Sequence, residues 1–286
     1  MLLRRFDDAQ QFYARAEPFL LAHEAEHNLP LGICSTLIQS PGYFEEPPYL
    51  ALVEQADQVV VVALRTPPHN LVLSLIPAAA LADEALALIA RDLAPDPEML
   101  PGVLGPAALS QAFAETWQSL TGRTFHLSLR ERIYQLTAVQ PVTGVPGAMR
   151  RATEADHDLL VRWIGAFNTE AKGTDDHAEA ERWVARLFTS PLREVYLWED
   201  GKVVSLACYG GPTPHGMRIG PVYTPPEQRG KGYASACVAA LSQMLLDGGR
   251  RFCFLFTDLA NPTSNHIYQV IGYQPVCDVA VYQFSS

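Results

Sequence analysis

The sequence predicts an α+β chain: two tandem domains, each a mixed, mostly antiparallel twisted sheet flanked by helices. Three observations predict it. At 286 residues the chain is long enough for two ordinary cores. The stretch "AVQPVTGVPGAM" (138–149) is rich in Pro, Gly and small residues and reads as a linker. It places one domain at 1–139 and the other at 148–286. Finally, both halves run through the same order of elements, although identities at a constant offset are few.

Each half opens with a short strand, a cap residue and a helix, in "LLRRFDDAQQF" and "AMRRATEADHDLL". Asp7 and Thr153 are the expected N-caps, and Thr153 with Asp156 three residues on resembles a capping box. Long helical patterns follow. Next come apolar hairpins, 49–75 and 194–224, with turns expected at Asp57–Gln58 and Asp200–Gly201. In the second half, 217–224 reads as a strand stopped by Pro225 and Pro226. Ala234, Cys237, Val238, Leu241, Met244 and Leu245 then recur at helical spacing, and Gly248–Gly249 end that helix. Residues 250–259 read as a buried strand, so the unit is a parallel strand–helix–strand crossover.

Composition narrows the function. The chain is 48% apolar and 18% charged, which is globular. A net charge of −10 argues against a nucleic-acid or anionic-membrane surface and suits a cationic substrate. Five scattered cysteines, with no C-x-x-C pair, read as reduced thiols of a cytoplasmic protein. No signal peptide and no apolar run of membrane-spanning length is evident.

The chemistry concentrates in "PPEQRGKGYASA" (225–236). Gly230 and Gly232 let the backbone curl and approach a ligand, while Arg229 and Lys231 add positive charge ahead of a helix N-terminus. Together these make a phosphate loop. A Walker loop fails because Tyr233, not Lys, follows Gly232. A dinucleotide loop is a near miss, with Ser235 at its third glycine and Asp258 as a ribose-binding acid, but only 28 residues follow Asp258.

The pattern R-G-x-G-x-[GA] is met in full by Arg229-Gly230-Lys231-Gly232-Tyr233-Ala234. Over about 148–284 the chain resembles the GNAT acetyltransferase superfamily, through this loop, the order of elements and "FTDLANPTSNHIYQVIGYQPV" (256–276). The resemblance implies acetyl-CoA as co-substrate, gripped by the loop. It also implies that strands 217–224 and 252–257 splay, so that the main chain around Val222, Tyr223 and Thr224 pairs with pantetheine. Asn261 and Asn265 would contact the coenzyme, and Tyr268 would be the general acid at the sulfur. The acceptor would be an amine of a small molecule or peptide. Glu170 is the first candidate for the base, with Asp175, Asp176 and His215 as others. The rivals are a non-catalytic acyl-CoA sensor and a transferase of a longer acyl or aminoacyl group.

The first half carries a decoy and a gap. "HEAEH" (23–27) matches H-E-x-x-H, where His23 and His27 could bind zinc beside Glu24. A third ligand is wanting, since Glu45 and Glu46 lie in a proline-flanked loop, and no metal is expected. In place of RGKGYA this half offers "GPAALSQ" (105–111), with no second glycine and no cation. It is therefore expected to lack cofactor binding.

Overall fold

The computed structural model describes residues 1–173 and 176–285. The chain divides into two compact units, and the division is not a single cut. One unit comprises 1–134, 256–262 and 275–286; the other comprises 135–255 and 263–274.

The first unit is built on strands β1 (Leu2–Arg5), β2 (Tyr49–Gln55), β3 (Gln58–Arg65), β4 (Leu71–Leu73), β5 (Gly102–Pro106) and β6 (Phe125–Leu136), with helices α1 (Ala9–Leu21), α2 (Asn28–Gln39), α3 (Ala82–Leu93) and α4 (Ala107–Thr121). Strands β1 to β4 are antiparallel in order, and β4 pairs in parallel with β5. The outer edge of β5 is covered by Val279–Gln283, from the last strand of the chain. Burial follows the pleat. Leu50, Leu52, Val62 and Leu64 pack on one face with Phe12, Leu20 and Leu31 of α1 and α2. Ala51, Val53, Val61 and Ala63 pack on the other with Leu86, Ile89, Phe113 and Trp117 of α3 and α4. A strand covered on both faces must be apolar at nearly every position, which is why "VVVVAL" (59–64) shows no alternation.

The second unit repeats the plan. Its elements are β7 (Ala148–Arg151), α5 (His157–Lys172), α6 (His177–Thr189), β8 (Glu194–Glu199), β9 (Val203–Gly210), β10 (Gly216–Tyr223), α7 (Tyr233–Asp247), most of β11 (Phe252–Asp258) and α8 (Pro262–Ile271); the last strand, β12 (Gln274–Phe284), belongs to the first unit from residue 275. Strands β7 to β10 are antiparallel, and β10 is parallel to β11. That largely antiparallel sheet excludes the dinucleotide fold. Leu160, Ile164, Val184 and Leu187 of α5 and α6 pack on Val195, Leu197, Leu206 and Cys208. No helix among the described residues is long and apolar enough to cross a membrane.

Two local expectations shift by one residue. The first N-cap is Asp8, whose Oδ1 accepts from the Gln11 amide at 2.7 Å, and not Asp7. The first hairpin turns at Ala56–Asp57, both at positive φ, one residue before the expected pair. The Thr153 cap holds: Asp156 accepts from the Thr153 amide at 2.8 Å and its hydroxyl at 3.1 Å.

A larger correction concerns the gap in the first half. Strand for strand, β4–α3–β5 is the counterpart of β10–α7–β11, since each is a short strand, a helix and a parallel partner. The equivalent of the RGKGYA loop is therefore 74–81, "SLIPAAAL", and not "GPAALSQ", which joins β5 to α4. Both segments look alike in sequence because each sits between a strand and a helix; only the pairing tells them apart.

Candidate coenzyme-binding and active site

The site is assembled where β10 ends. Its ladder with β9 breaks between Ile219 and Val222, where Gly220, at φ 142°, and Pro221 form a bulge. The parallel ladder with β11 covers only Gly216–Arg218 against Phe252–Phe254, although β10 runs on to Tyr223. A bulge adds twist and bends its strand, which is how β10 parts from its neighbour. The Gly-Pro pair inside an apolar strand was the sequence signal for this, and pattern reading passed over it.

After β10, Pro226–Gln228 make one tight turn, and Gly230 (φ 77°) and Gly232 (φ 82°) take left-handed conformations. Space is open around Gly230, where a Cβ would meet nothing within 4 Å. Gly232 is the N-cap of α7 and supplies no side-chain cap. The first intrahelical bond after it runs from the Ala236 amide to the Gly232 carbonyl at 2.9 Å. The amides of Tyr233, Ala234 and Ser235 thus have no acceptor within the helix, and no acidic residue lies in the first turn. Unpaired N–H groups at the positive end of a helix form a cradle for an anion, and a diphosphate fits it.

The cations are committed elsewhere. Arg229 donates through Nε to the Thr224 carbonyl at 2.8 Å and through Nη2 to both oxygens of Glu170 at 2.9 and 2.7 Å. It also lies over the Tyr223 ring, 5.8 Å from the centroid. Lys231 donates to Gln228 Oε1 at 3.0 Å. The structure therefore brings Glu170, Tyr223, Thr224 and Arg229 together. Tyr223 is buried against Trp163, and its hydroxyl donates to Glu170 at 3.4 Å. Burial and the Glu170 charge raise its pKa. The Thr224 carbonyl, expected to be open, is taken by Arg229, and Thr224 Oγ1 lies 2.8 Å from Ser205 Oγ. Val222 is partly buried and pairs with Ala207 of β9. The Tyr233 ring is turned away from the loop, with its hydroxyl on Asp200 at 2.6 Å, so only its amide serves the cradle.

Tyr268 lies on α8, edge-on to Tyr273 at 6.0 Å between centroids. Burial pushes its hydroxyl from an ordinary 10 up to about 12, and the phenol is protonated at neutral pH at either value. Asn261 directly precedes Pro262, the first residue of α8, and Asn265 is one turn further, partly buried. Among the other base candidates, Asp176 caps α6 by accepting from the Glu179 amide at 2.9 Å. His215 adjoins the start of β10, the end away from the loop. Asp175 lies outside the described residues.

Zinc at "HEAEH" is ruled against by positive contacts. His27 is buried, its Nδ1 donates to the Leu20 carbonyl at 2.9 Å, and its Nε2 accepts from the Leu75 amide at 3.2 Å. Both ring nitrogens are used, and no metal-holding group of side chains occurs among the described residues. The five cysteines are free thiols, and all but Cys277 are buried. A cavity of about 550 Å³ opens in the second unit beside Arg151, Phe188 and Glu194. It lies at the start of β8, whereas the loop follows Tyr223, which aligns through Leu206 with Leu197 near the end of β8. We therefore give it no part in the site.

The sequence pattern of the acetyltransferase (GNAT) family matches residues 158–273. No curated protein matches the chain. Solved structures share its fold across nearly its whole length. A Drosophila protein has a TM-score of 0.69 at 12% identity, covering 99% of this chain and 98% of its own. A GCN5-related N-acetyltransferase from Sphaerobacter thermophilus has a TM-score of 0.61 at 16% identity, covering 99% and 94%. A tandem GNAT protein from the clavulanic acid biosynthesis pathway has a TM-score of 0.56 at 12% identity, covering 99% and 98%.

Proposed function

We propose, from the match of residues 158–273 to the acetyltransferase (GNAT) family, that the second unit transfers an acetyl group from acetyl-CoA to an amine of a small molecule or peptide. One observation carries the reading: the uncapped amide end of α7 beside a parallel strand pair that stops after three residues. The main-chain amides of 230–235 would hold the diphosphate, with Arg229 and Lys231 adding charge. The edge of β10 at Val222–Tyr223, beyond the last pair with β11, would pair with pantetheine as an added strand, and Thr224 would join it once Arg229 releases its carbonyl. Asn265 of the same unit would bind the same arm. The bound coenzyme supplies an activated thioester.

The chain's own residues supply the proton chemistry. Tyr268, a phenol protonated at neutral pH, holds the proton that the departing thiolate needs. The acceptor amine must be neutral to attack, and Glu170 is the carboxylate we assign to take its proton. That role requires the Arg229–Glu170 pair to open. The first unit, with no glycine or cation in 74–81, would bind no coenzyme.

Thiol release from acetyl-CoA against a panel of polyamines, aminoglycosides and peptides tests the reading. We expect turnover with at least one amine, and Tyr268→Phe to lower kcat about 100-fold while CoA affinity stays within about twofold. Binding without thiol release would leave a coenzyme sensor and end the transferase reading. Absence of CoA binding would end both.

A further inference from the structure

One short contact at the cradle has no part in the chemistry above. Tyr233, the first residue of α7, buries its ring and donates its hydroxyl to Asp200 Oδ2 at 2.6 Å. The carboxylate holds the phenolic proton and raises its pKa. Asp200 belongs to the β8–β9 turn, where its amide donates to the Lys202 carbonyl at 2.9 Å and Gly201 follows at φ 66°. The turn itself explains Gly201. It does not explain Asp200, since Asn or Ser makes such a turn equally well.

The opposite side of the same helix end is also held. A Cβ on Gly232 would meet Val145 Cγ2 at 2.8 Å, and the Trp198 indole fixes the neighbouring Pro146 carbonyl at 2.8 Å. The N-terminus of α7 is thus gripped between a hairpin turn and the linker. A helix end with no side-chain cap has no local device to fix its amides. A ligand held by those amides needs them placed to within about half an ångström.

We propose that Asp200 is a positioning residue: through the Tyr233 hydroxyl it fixes the orientation of the α7 amides that receive the diphosphate. The inference rests on the coenzyme reading above. It has a cost that sharpens its test. A carboxylate near the cradle repels an anionic ligand, so Asp200 helps by geometry and hinders by charge. Asparagine keeps an acceptor and removes the charge.

The experiment measures binding of CoA and of acetyl-pantetheine, which lacks the diphosphate, together with thermal midpoints, for wild type, Tyr233→Phe, Asp200→Ala, the double variant and Asp200→Asn. Each single truncation should weaken CoA about five- to tenfold and leave acetyl-pantetheine within twofold. The double variant should be no worse than either single one. Asp200→Asn should bind CoA at least as well as wild type. Equal loss of both ligands, or CoA binding unchanged by the truncations, overturns the inference while the coenzyme reading stands. A wild type that binds no CoA takes both down. Should the truncations lower the midpoint, Asp200→Asn decides: weakening by Asn as large as by Ala means that an acceptor at this place does not suffice to set the amides, and the proposal fails.

Discussion

Two segments occupy the same place in two copies of one plan, and they treat their backbone amides in opposite ways. After β10, the chain takes two left-handed glycines and enters α7 with the amides of 233–235 uncapped. After β4, the start of the corresponding segment is closed. The Ser74 amide donates to the Val62 carbonyl at 2.9 Å, and the Leu75 amide donates to His27 Nε2 at 3.2 Å. Pro77 has no amide to offer. Helix α3 is entered through a 3₁₀ turn, in which Leu81 bonds back to Ala78, and Asp83 and Glu84 fill its first turn with negative charge. Strands β4 and β5 also stay close, for a Cβ on Gly105 would meet Leu73 atoms at 3.0 Å. The lesson is that losing an anion site takes more than deleting glycines. Buried amides must find acceptors, and here a buried histidine serves as one.

That account makes His27 a plug, and removing it should show the largest effect. His27→Ala deletes a packed ring and orphans the Leu75 amide, which should cost about 2–4 kcal/mol in urea denaturation. Exchange of the Leu75 amide should speed up, and CoA affinity in the second unit should not change. The same residue gives a pH signature. Burial holds His27 at about 4 against an ordinary value of 6.5. The unfolded chain therefore binds a proton that the fold refuses. Its contribution is complete above pH 6.5, erodes as pH falls, and is gone below about 4, a span of roughly 3 kcal/mol. His27→Ala should flatten that part of the stability profile. A variant with the slope of wild type would show that His27 is not the plug.

The next largest effect comes from moving one feature of the closed segment into the open one. Counted from the helix N-cap, Ser235 stands where Glu84 stands in α3. Ser235→Glu should stabilise α7 by a few tenths of a kcal/mol, because an acid favours the first turn. It should weaken CoA at least about tenfold, since the same end must accept a diphosphate. Stability and binding moving in opposite directions is the outcome to seek. Unchanged binding, by isothermal calorimetry, would place the diphosphate elsewhere.

How far this contrast was legible in the sequence depends on the kind of signal. The loop itself was readable, because R-G-x-G-x-A is local and each residue type has a backbone reason. So were some helix limits, such as Gly248–Gly249 ending α7. The element order was also readable, and with it the fold. Pairing was not. The sequence offers 105–111 as the counterpart of the loop because strand–helix junctions look alike until one knows that β4, only Leu71–Leu73, is the strand parallel to β5. Nor could the sequence show that residues 275–286 belong with the first unit, since long-range pairing leaves no local trace. His27 was misleading for a related reason. Its neighbours in sequence suggest a metal, while its partners, Leu20 and Leu75, are a turn and a strand end away. Side-chain direction was the last thing hidden: Arg229 and Tyr233 fit the motif, yet one reaches Glu170 and the other Asp200.

Arg229 supplies the smallest predicted effect, and the one that most sharply separates motif from side chain. In the open segment its guanidinium is held by Glu170, with both side chains nearly half exposed, at 47% and 46%. An ion pair so exposed is worth at most about 1 kcal/mol. If a diphosphate draws Arg229 to itself, it must first displace that carboxylate, and the pair subtracts from coenzyme affinity by the same amount. Glu170→Gln should therefore tighten CoA two- to fivefold at low salt, with the gain fading at high salt. Acetyl-pantetheine should bind as before. Turnover should fall in the same variant, because the side chain that releases Arg229 is also the one assigned to take the amine's proton. Tighter CoA with unimpaired turnover would keep the exchange and remove Glu170 from the chemistry. Unchanged CoA affinity would mean that Arg229 never leaves Glu170, and that main-chain amides alone distinguish the open segment from the closed one.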